Sequence, residues 1–232
     1  MDGIYCGPPP LPDELWSSWN FDIPLLLALA MLGLVARHRP AGLLAVGVLF
    51  IAFVSPLCAW SAALFSARVV HHVLLVALAA PLVALAFPAR QPSGPALPFI
   101  VSTVVLWAWH VPVAYDLALS NMVVYWAMQL SLLGSAVWFW RSVLSAAISP
   151  VDQILFIVAS FAQMGMLGAI LTFASTSLYA VHAVAPFDWG MTPLSDQQLG
   201  GLIMWVPSAV PYAIAAAMIA RRRWSQLSGG TA

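Results

Sequence analysis

Three histidines and one arginine are the side chains of this sequence best suited to chemistry. Arg68, His71 and His72 stand at the start of a long apolar run, and His110 stands near the end of the next one. Ionisable groups inside apolar membrane segments are costly, so they indicate a functional site. Imidazoles bind soft and borderline metals, copper before others here. The candidate copper ligands are His72 and His110, with His71 and Met204 as secondary candidates.

The spacing of these residues leaves two interpretations open. Arg68 and His72 are four residues apart and share one face of a helix, whereas His71 points about 100° away from that face. Two adjacent histidines do not easily bind one ion. His71 and His72 are therefore either ligands or residues that extend into the membrane interface, as amphipathic side chains do.

His110 precedes a proline by two residues. Because Pro112 removes a backbone donor and clashes with the carbonyl four residues earlier, the sequence predicts a kink near Ala108. A kink would expose polar backbone beside the imidazole and help to build a site. The alternative is a belt of interfacial aromatic residues, Trp107, Trp109 and Tyr115, with His110 hydrogen-bonded to backbone.

Composition determines which elements must position these residues. The chain is 62% hydrophobic and only 7% charged, with a mean hydropathy of +0.94, whereas about a quarter of the residues in soluble domains are charged. The apolar runs suit helices of about 20 residues better than the short alternating strands of a barrel. The predicted fold is all-α, a polytopic bundle of about seven transmembrane helices. The runs cover residues 22–37, 41–60, 68–87, 97–116, 122–140, 152–174 and 197–220.

The arginines predict an orientation. If the amino terminus lies outside, seven of the eight arginines fall on the inner side, and only Arg68 lies outside. We therefore expect an external tail over residues 1–21, a transmembrane domain over residues 22–220 and a cytoplasmic tail over residues 221–232. Zero net charge and the absence of lysine argue against nucleic acid as a partner. The inner arginines are Arg37, Arg39, Arg90, Arg141, Arg221, Arg222 and Arg223.

Several polar or reactive groups share the predicted outer side with Arg68. Asp116 and Asp196 are expected at this rim, where either could pair with the guanidinium, because charges at a membrane edge need partners. Gln197 is expected beside them. Cys6 and Cys58 also lie on this side, and a disulfide and a free or metal-related Cys58 are equally compatible with the sequence.

The start of the last run carries local signals of its own. Ser195 and Gln198 fit a capping box, which predicts that the final helix begins here. Gly200 and Gly201 would let a neighbouring helix pack closely. Nucleotide-binding, nucleophile-elbow and zinc-protease motifs are absent from the sequence, so we expect a protein that is not an enzyme.

Four segments carry a family resemblance in a fixed order: His72–Leu75 with Ala80–Leu82, Trp109–Pro112 with Tyr115 and Asp116, Leu167–Thr172 with Tyr179, and Asp196–Pro207. In these segments the chain resembles the CtaG family of assembly factors for cytochrome c oxidase of the caa type, a haem-copper oxidase. The resemblance implies a multi-pass protein of the bacterial inner membrane. It implies oxidase maturation through copper delivery or insertion on the outer side, with oxidase subunits or other assembly factors as partners.

The chain also departs from the family pattern. Family members commonly carry a histidine four residues before His72, where this chain has Arg68, and a His-x-x-Glu-His pattern where it has Tyr125, Met128 and Gln129. Arginine has no lone pair to offer a metal. A metal-free docking partner or structural subunit of the oxidase is therefore the alternative function. A copper transporter ranks below both, because no ladder of ligands crosses the sequence.

Overall fold

The computed structural model describes residues 5–89 and 94–228, and within these residues the regular structure is helical, without strands. Arg90 and the two chain ends, residues 1–4 and 229–232, lie outside the described residues. Every predicted apolar run coincides with one helix or with two consecutive helices. The helices are α1 (Ile23–Ala36), α2 (Pro40–Phe53), α3 (Leu57–Ala63), α4 (Phe65–Val73), α5 (Ala80–Ala86), α6 (Ala96–Trp109), α7 (Pro112–Ser120), α8 (Met122–Val143), α9 (Pro150–Thr172), α10 (Pro193–Trp205) and α11 (Ala209–Ser228).

Four helical segments in the described residues are long and apolar enough to cross a membrane: α4 with α5, α8, α9, and α10 with α11. Two bent pairs, α2 with α3 at 43° and α6 with α7 at 75°, raise the number to six if each pair is one span. Helix α1 has 14 residues, fewer than the roughly 20 of a typical span. The all-helical membrane class is confirmed, whereas the count of seven spans and the orientation stay predictions.

The kink predicted before Pro112 is present as the 75° bend between α6 and α7. Helix α6 ends at Trp109, and Pro112 occupies the first position of α7. His110 lies in the bend, as the residue that caps the carboxyl end of α6. The break falls two residues later than the sequence predicts, because the proline starts a new helix instead of bending a continuous one.

The helix that carries Arg68 and the histidines changes from α-helical to π-helical winding after about two and a half turns. A π-helical segment, Leu74–Ala79, separates α4 from α5. Pro81 has no backbone N–H and its ring disfavours regular α-helix in the preceding turn, which a wider turn relieves. The Trp140 indole N–H of α8 donates to the Val76 carbonyl at 2.9 Å. This bond ties α8 to the π-helical segment directly after His72.

Helix α4 begins against the first turn of α10. Its first two amides, those of Phe65 and Ser66, donate to the Asp196 carboxylate at 2.6 and 3.0 Å, and the Ser66 hydroxyl donates to the same carboxylate at 2.5 Å. Asp196 is fully buried. A carboxylate at a helix amino terminus satisfies unpaired amides and complements the helix dipole. The side chain of α10 thus serves as the cap of α4.

Helix α10 begins earlier than the capping box at Ser195 and Gln198 predicts. Thr192 is the N-cap, and its hydroxyl accepts from the Ser195 amide at 3.1 Å while the Ser195 hydroxyl accepts from the Thr192 amide at 2.9 Å. Pro193 occupies the first helical position. The predicted cap is therefore wrong, because Ser195 takes the reciprocal role at the third position of the helix.

Helices α9 and α10 pack with their backbones almost in contact. A Cβ atom added at Gly201 would lie 2.5 Å from the Gly168 carbonyl oxygen and from the Thr172 hydroxyl. One added at Gly200 would lie 2.5 Å from the Phe65 ring of α4. The two glycines thus hold α10 between α9 and α4, as the sequence predicts for small residues in membrane helices.

The amino-terminal tail is fastened to the bundle by a disulfide between Cys6 and Cys58. This settles the alternative that the sequence leaves open. Tyr5 stacks on Tyr125 with ring centres 5.2 Å apart and meets Trp126 edge-on at 4.7 Å. The start of the tail therefore covers the first turn of α8.

Candidate functional site

The three histidines singled out in the sequence lie together inside the bundle. The ring centres of His72 and His110 are 6.1 Å apart, and those of His71 and His72 are 5.8 Å apart. Their exposed fractions are 0% for His71, 2% for His72 and 6% for His110. Phe53 of α2 contacts the His71 ring edge-on at 4.8 Å. The bend between α6 and α7 brings His110 to the turn of α4 that carries His72.

The hydrogen bonds of these rings decide which nitrogens are available. His110 Nδ1 lies 2.7 Å from the Leu106 carbonyl oxygen. Because a carbonyl oxygen only accepts, Nδ1 carries the hydrogen, and Nε2 keeps its lone pair. Neither ring nitrogen of His71 or His72 has a hydrogen-bond partner among the described residues. Buried polar atoms without partners are rare, and each one needs a physical explanation.

The His72 and His110 rings are close enough for one metal ion. A nitrogen bond of about 2 Å places an imidazole ring centre about 3.15 Å from the ion, so two such rings lie at most about 6.3 Å apart. The observed 6.1 Å lies just under this limit, so an ion held between the two rings would have nearly opposite ligands, a geometry that copper(I) accepts. The described residues contain no group of three or more His, Cys, Asp or Glu that could hold a metal. His72 and His110 can therefore supply two imidazole ligands to one ion.

Arg68 is fully buried one turn before His72. Its Nε donates to the Ser61 carbonyl at 3.2 Å, its Nη1 lies 3.5 Å from the Tyr125 hydroxyl, and its guanidinium carbon is 5.4 Å from the centre of the Tyr125 ring. Nη2 has no partner among the described residues. The predicted pairing with Asp116 or Asp196 is not formed, which corrects that expectation.

The outer-rim residues bind backbone amides instead of the guanidinium. Asp116 accepts from the amides of Ala180 and Val181 at 3.2 and 3.4 Å, and Asp196 caps α4. The Gln197 side-chain oxygen accepts from the Leu178 amide at 2.7 Å. Since each of these side chains orders backbone of the segment between α9 and α10 or of α4, their role in the structure is positional.

His182 belongs to a second hydrogen-bonded group that sequence reasoning did not assign. Its Nδ1 lies 3.2 Å from the Ala63 carbonyl oxygen, so this nitrogen donates, and its Nε2 accepts from the Tyr115 hydroxyl at 2.8 Å. Burial, reinforced by the Arg68 charge, lowers the pKa of His182 to about 3. The ring is therefore neutral at physiological pH. It fastens the outer segment to α3 and α7 and has both nitrogens engaged.

The remaining predicted residues occupy other helix contacts. Met204 is buried where α10 packs on α9, with its Cβ opposite Gly168. Met128 and Gln129 are buried in α8, and both polar atoms of the Gln129 amide lack partners among the described residues. An unpaired amide on the same helix as Tyr125 extends the polar interior beyond the histidines.

Residues 89–226 match the family described as cytochrome c oxidase caa3 assembly factor (Caa3_CtaG). The matched stretch is more than half of the 232 residues. The chain belongs to this family. The matched stretch includes the candidate site residues His110, Asp116, Asp196 and Gln197. It begins after Arg68, His71 and His72. A comparison with curated proteins found no match, and a comparison with solved structures found none either.

Proposed function

We propose that this CtaG protein assists the delivery or insertion of copper into a haem-copper oxidase, from the outer side of the bacterial inner membrane. In this role His72 and His110 hold the ion as cargo, and the protein acts by binding and release, not as an enzyme. His71 and Met204 remain secondary candidates. The oxidase subunits or other assembly factors are the partners to which the ion passes.

The observation that carries this proposal is the buried His72 and His110 pair, 6.1 Å apart between ring centres. Both ring nitrogens of His72 lack a hydrogen-bond partner in the part of the chain that the structure describes, and His110 presents the lone pair of Nε2. Carboxylates, which favour hard cations, are engaged with backbone amides elsewhere. An imidazole-only ligand set in an apolar bundle suits a soft or borderline metal such as copper.

The disulfide supports the outer side as the working side. Cys6 and Cys58 are bonded to each other, and disulfides persist in oxidising compartments such as the bacterial periplasm. The Tyr125 hydroxyl lies 3.5 Å from Cys6 Sγ and equally far from Arg68 Nη1. The tail that carries Cys6 is thus next to the helix that carries the histidines, and both belong to the same end of the bundle.

The second candidate function, a metal-free docking partner of the oxidase, has its own observation. Arg68 is a permanent positive charge without a carboxylate partner among the described residues, and it lies on the same helix as His71 and His72. Coulomb repulsion from a buried cation weakens the binding of a second cation nearby. This repulsion favours a singly charged ion over a doubly charged one, or no bound metal ion at all.

Copper binding by the purified protein separates the two functions. Wild-type protein under reducing conditions is expected to retain about one copper(I) per chain against a chromophoric chelator. His72→Ala and His110→Ala should each weaken retention by at least tenfold, because one of two ligands is lost. His38→Ala is the matched control, since His38 is exposed and bonded only to Arg37 among the described residues.

Two results would count against the copper role. Wild-type protein without stoichiometric copper would remove it directly. Equal retention by the wild type, the two site variants and the His38 control would assign the copper to another place. Cross-linking to oxidase subunits that persists in both site variants, together with no copper in the wild type, would establish the docking role.

A further inference from the structure

Two arginines meet at the end of the bundle opposite the disulfide. Arg39 precedes α2, Arg141 lies in the last turn of α8, and α5 packs between these two helices. Because α5 ends at Ala86, the three helix ends meet at the same level. The arginines therefore approach the segment after α5 from opposite sides.

Both guanidinium groups are fixed by backbone carbonyls of that segment. Arg39 Nη1 donates to the Ala86 carbonyl at 2.9 Å, and Arg141 Nη2 donates to the Pro88 carbonyl at 3.2 Å. The Arg39 guanidinium also lies over the Phe87 ring, 4.5 Å from its centre. Cations anchored in this way lose less freedom when they bind a ligand.

The space between the arginines is a cleft of about 610 Å³, lined by Arg39, Phe87, Pro88 and Arg141. This volume is within the range of small-molecule sites. None of the described lining residues is acidic. Asp152, eleven residues after Arg141, is engaged at the start of α9: its carboxylate accepts from the Ser149 hydroxyl at 2.8 Å, and its own amide donates to that hydroxyl at 3.1 Å. Arg141 Nε is buried and has no partner among the described residues.

We infer that this cleft binds the phosphate headgroup of an anionic phospholipid. A guanidinium offers five N–H donors in a planar fork that matches phosphate oxygens. Each anchoring bond uses only one donor of its arginine, so both groups keep donors for an anion. Basic pockets between membrane helices are a known way of binding acidic lipid headgroups.

The surfaces beside the cleft favour a lipid over a free phosphate ion. Large apolar side chains on the adjoining turns of α2 and α5 are exposed. Acyl chains attached to the bound headgroup would cover these side chains, whereas a free ion would not. They are Leu43, Leu44 and Leu85.

The test is lipid retention by the full-length protein. Detergent-purified protein is incubated with dioleoylphosphatidylglycerol or with dioleoylphosphatidylcholine and examined by native mass spectrometry. Wild-type protein is expected to retain the anionic lipid in preference. Arg39→Gln combined with Arg141→Gln should reduce that retention at least tenfold. The control removes two exposed charges, Arg221→Gln with Arg222→Gln, and should behave as wild type.

Three outcomes would overturn the lipid site. Equal retention of the two lipids by the wild type would remove the headgroup preference. Equal loss in the site variant and in the control would show a general charge effect. Inorganic phosphate that displaces the lipid at equal concentration would show that the acyl chains add nothing. If the double variant fails to fold, Arg39→Gln is compared with Arg37→Gln, since both side chains are exposed.

Discussion

Removing the Asp196 carboxylate should loosen the helix that carries the histidines. In Asp196→Ala, the Phe65 and Ser66 amides lose their acceptor inside the bundle, together with the Ser66 hydroxyl. Leaving a buried donor unpaired costs about 1–3 kcal/mol. Two amides therefore predict a loss of about 4 kcal/mol in the free energy of unfolding. Asp196→Asn keeps one acceptor oxygen and should lose about half as much, roughly 2 kcal/mol.

Asp116 provides the matched comparison because it is also a carboxylate that accepts from two backbone amides. Its bonds are longer, 3.2 and 3.4 Å, and the residue is only partly buried. Water can replace an exposed partner, so Asp116→Ala should lose less than about 1 kcal/mol. Unfolding in mixed detergent micelles, followed by far-ultraviolet circular dichroism, measures both variants against the wild type.

The functional consequence should follow the structural one. Loss of the α4 cap should displace the first two turns of α4, from Phe65 to His72, so Asp196→Ala should also weaken copper retention. Asp116→Ala should not. If Asp196→Ala unfolds at the same denaturant concentration as Asp116→Ala, the Asp196 carboxylate does not stabilise α4, and the predicted effect on copper retention loses its basis.

Two further predictions concern packing and pH. Gly201→Ala should destabilise the protein by about 3 kcal/mol, because the added methyl meets backbone of α9 that cannot rotate away. The control, Gly134→Ala in α8, should be neutral or slightly stabilising, because the added Cβ has open space there. Thermal unfolding measures both variants, and equal stabilities would contradict the prediction. The lowered pKa of His182, about 3, means that the unfolded chain binds a proton first on acidification. The neutral His182 ring therefore contributes its full stabilisation above about pH 6.5. This contribution to the free energy of unfolding is lost as the pH falls toward 3, and about 2 kcal/mol of it is lost at pH 5. His182→Gln should flatten this pH dependence of the unfolding free energy, and an unchanged slope would contradict the assignment.

The helical architecture could be predicted because each apolar run is a local signal. The bend at Pro112 was also predictable, since it follows from the proline's own backbone chemistry. The start of α10 was less so. The apolar run begins only at residue 197, after the polar Ser195 and Asp196, whereas the bond that fixes the helix start is accepted by the Thr192 hydroxyl.

The site could be predicted only where residues share a helix or a kink. His72 and His110 are in different helices, and their proximity follows from the α6 to α7 bend. For Arg68 and Asp196 the shared rim predicts the correct pair of helices but the wrong group on α4. The carboxylate accepts from the first amides of α4, which have no partner within their own helix, and not from the guanidinium. The hydrogen bond of Tyr115 to His182 joins residues 67 positions apart, and no local sequence pattern predicts it.

The disulfide has a consequence for the order in which the chain is made. Cys6 leaves the ribosome first, and its partner follows 52 residues later, after the whole of α1 and α2. If α1 and α2 both cross the membrane, as the sequence predicts, the bond can close only after these two helices have inserted as a hairpin and returned the chain to the compartment that holds Cys6. A pulse-labelled chain arrested before Cys58 would therefore keep a free thiol at Cys6. With this topology, formation of the disulfide marks the stage of biogenesis at which the first two helices have inserted.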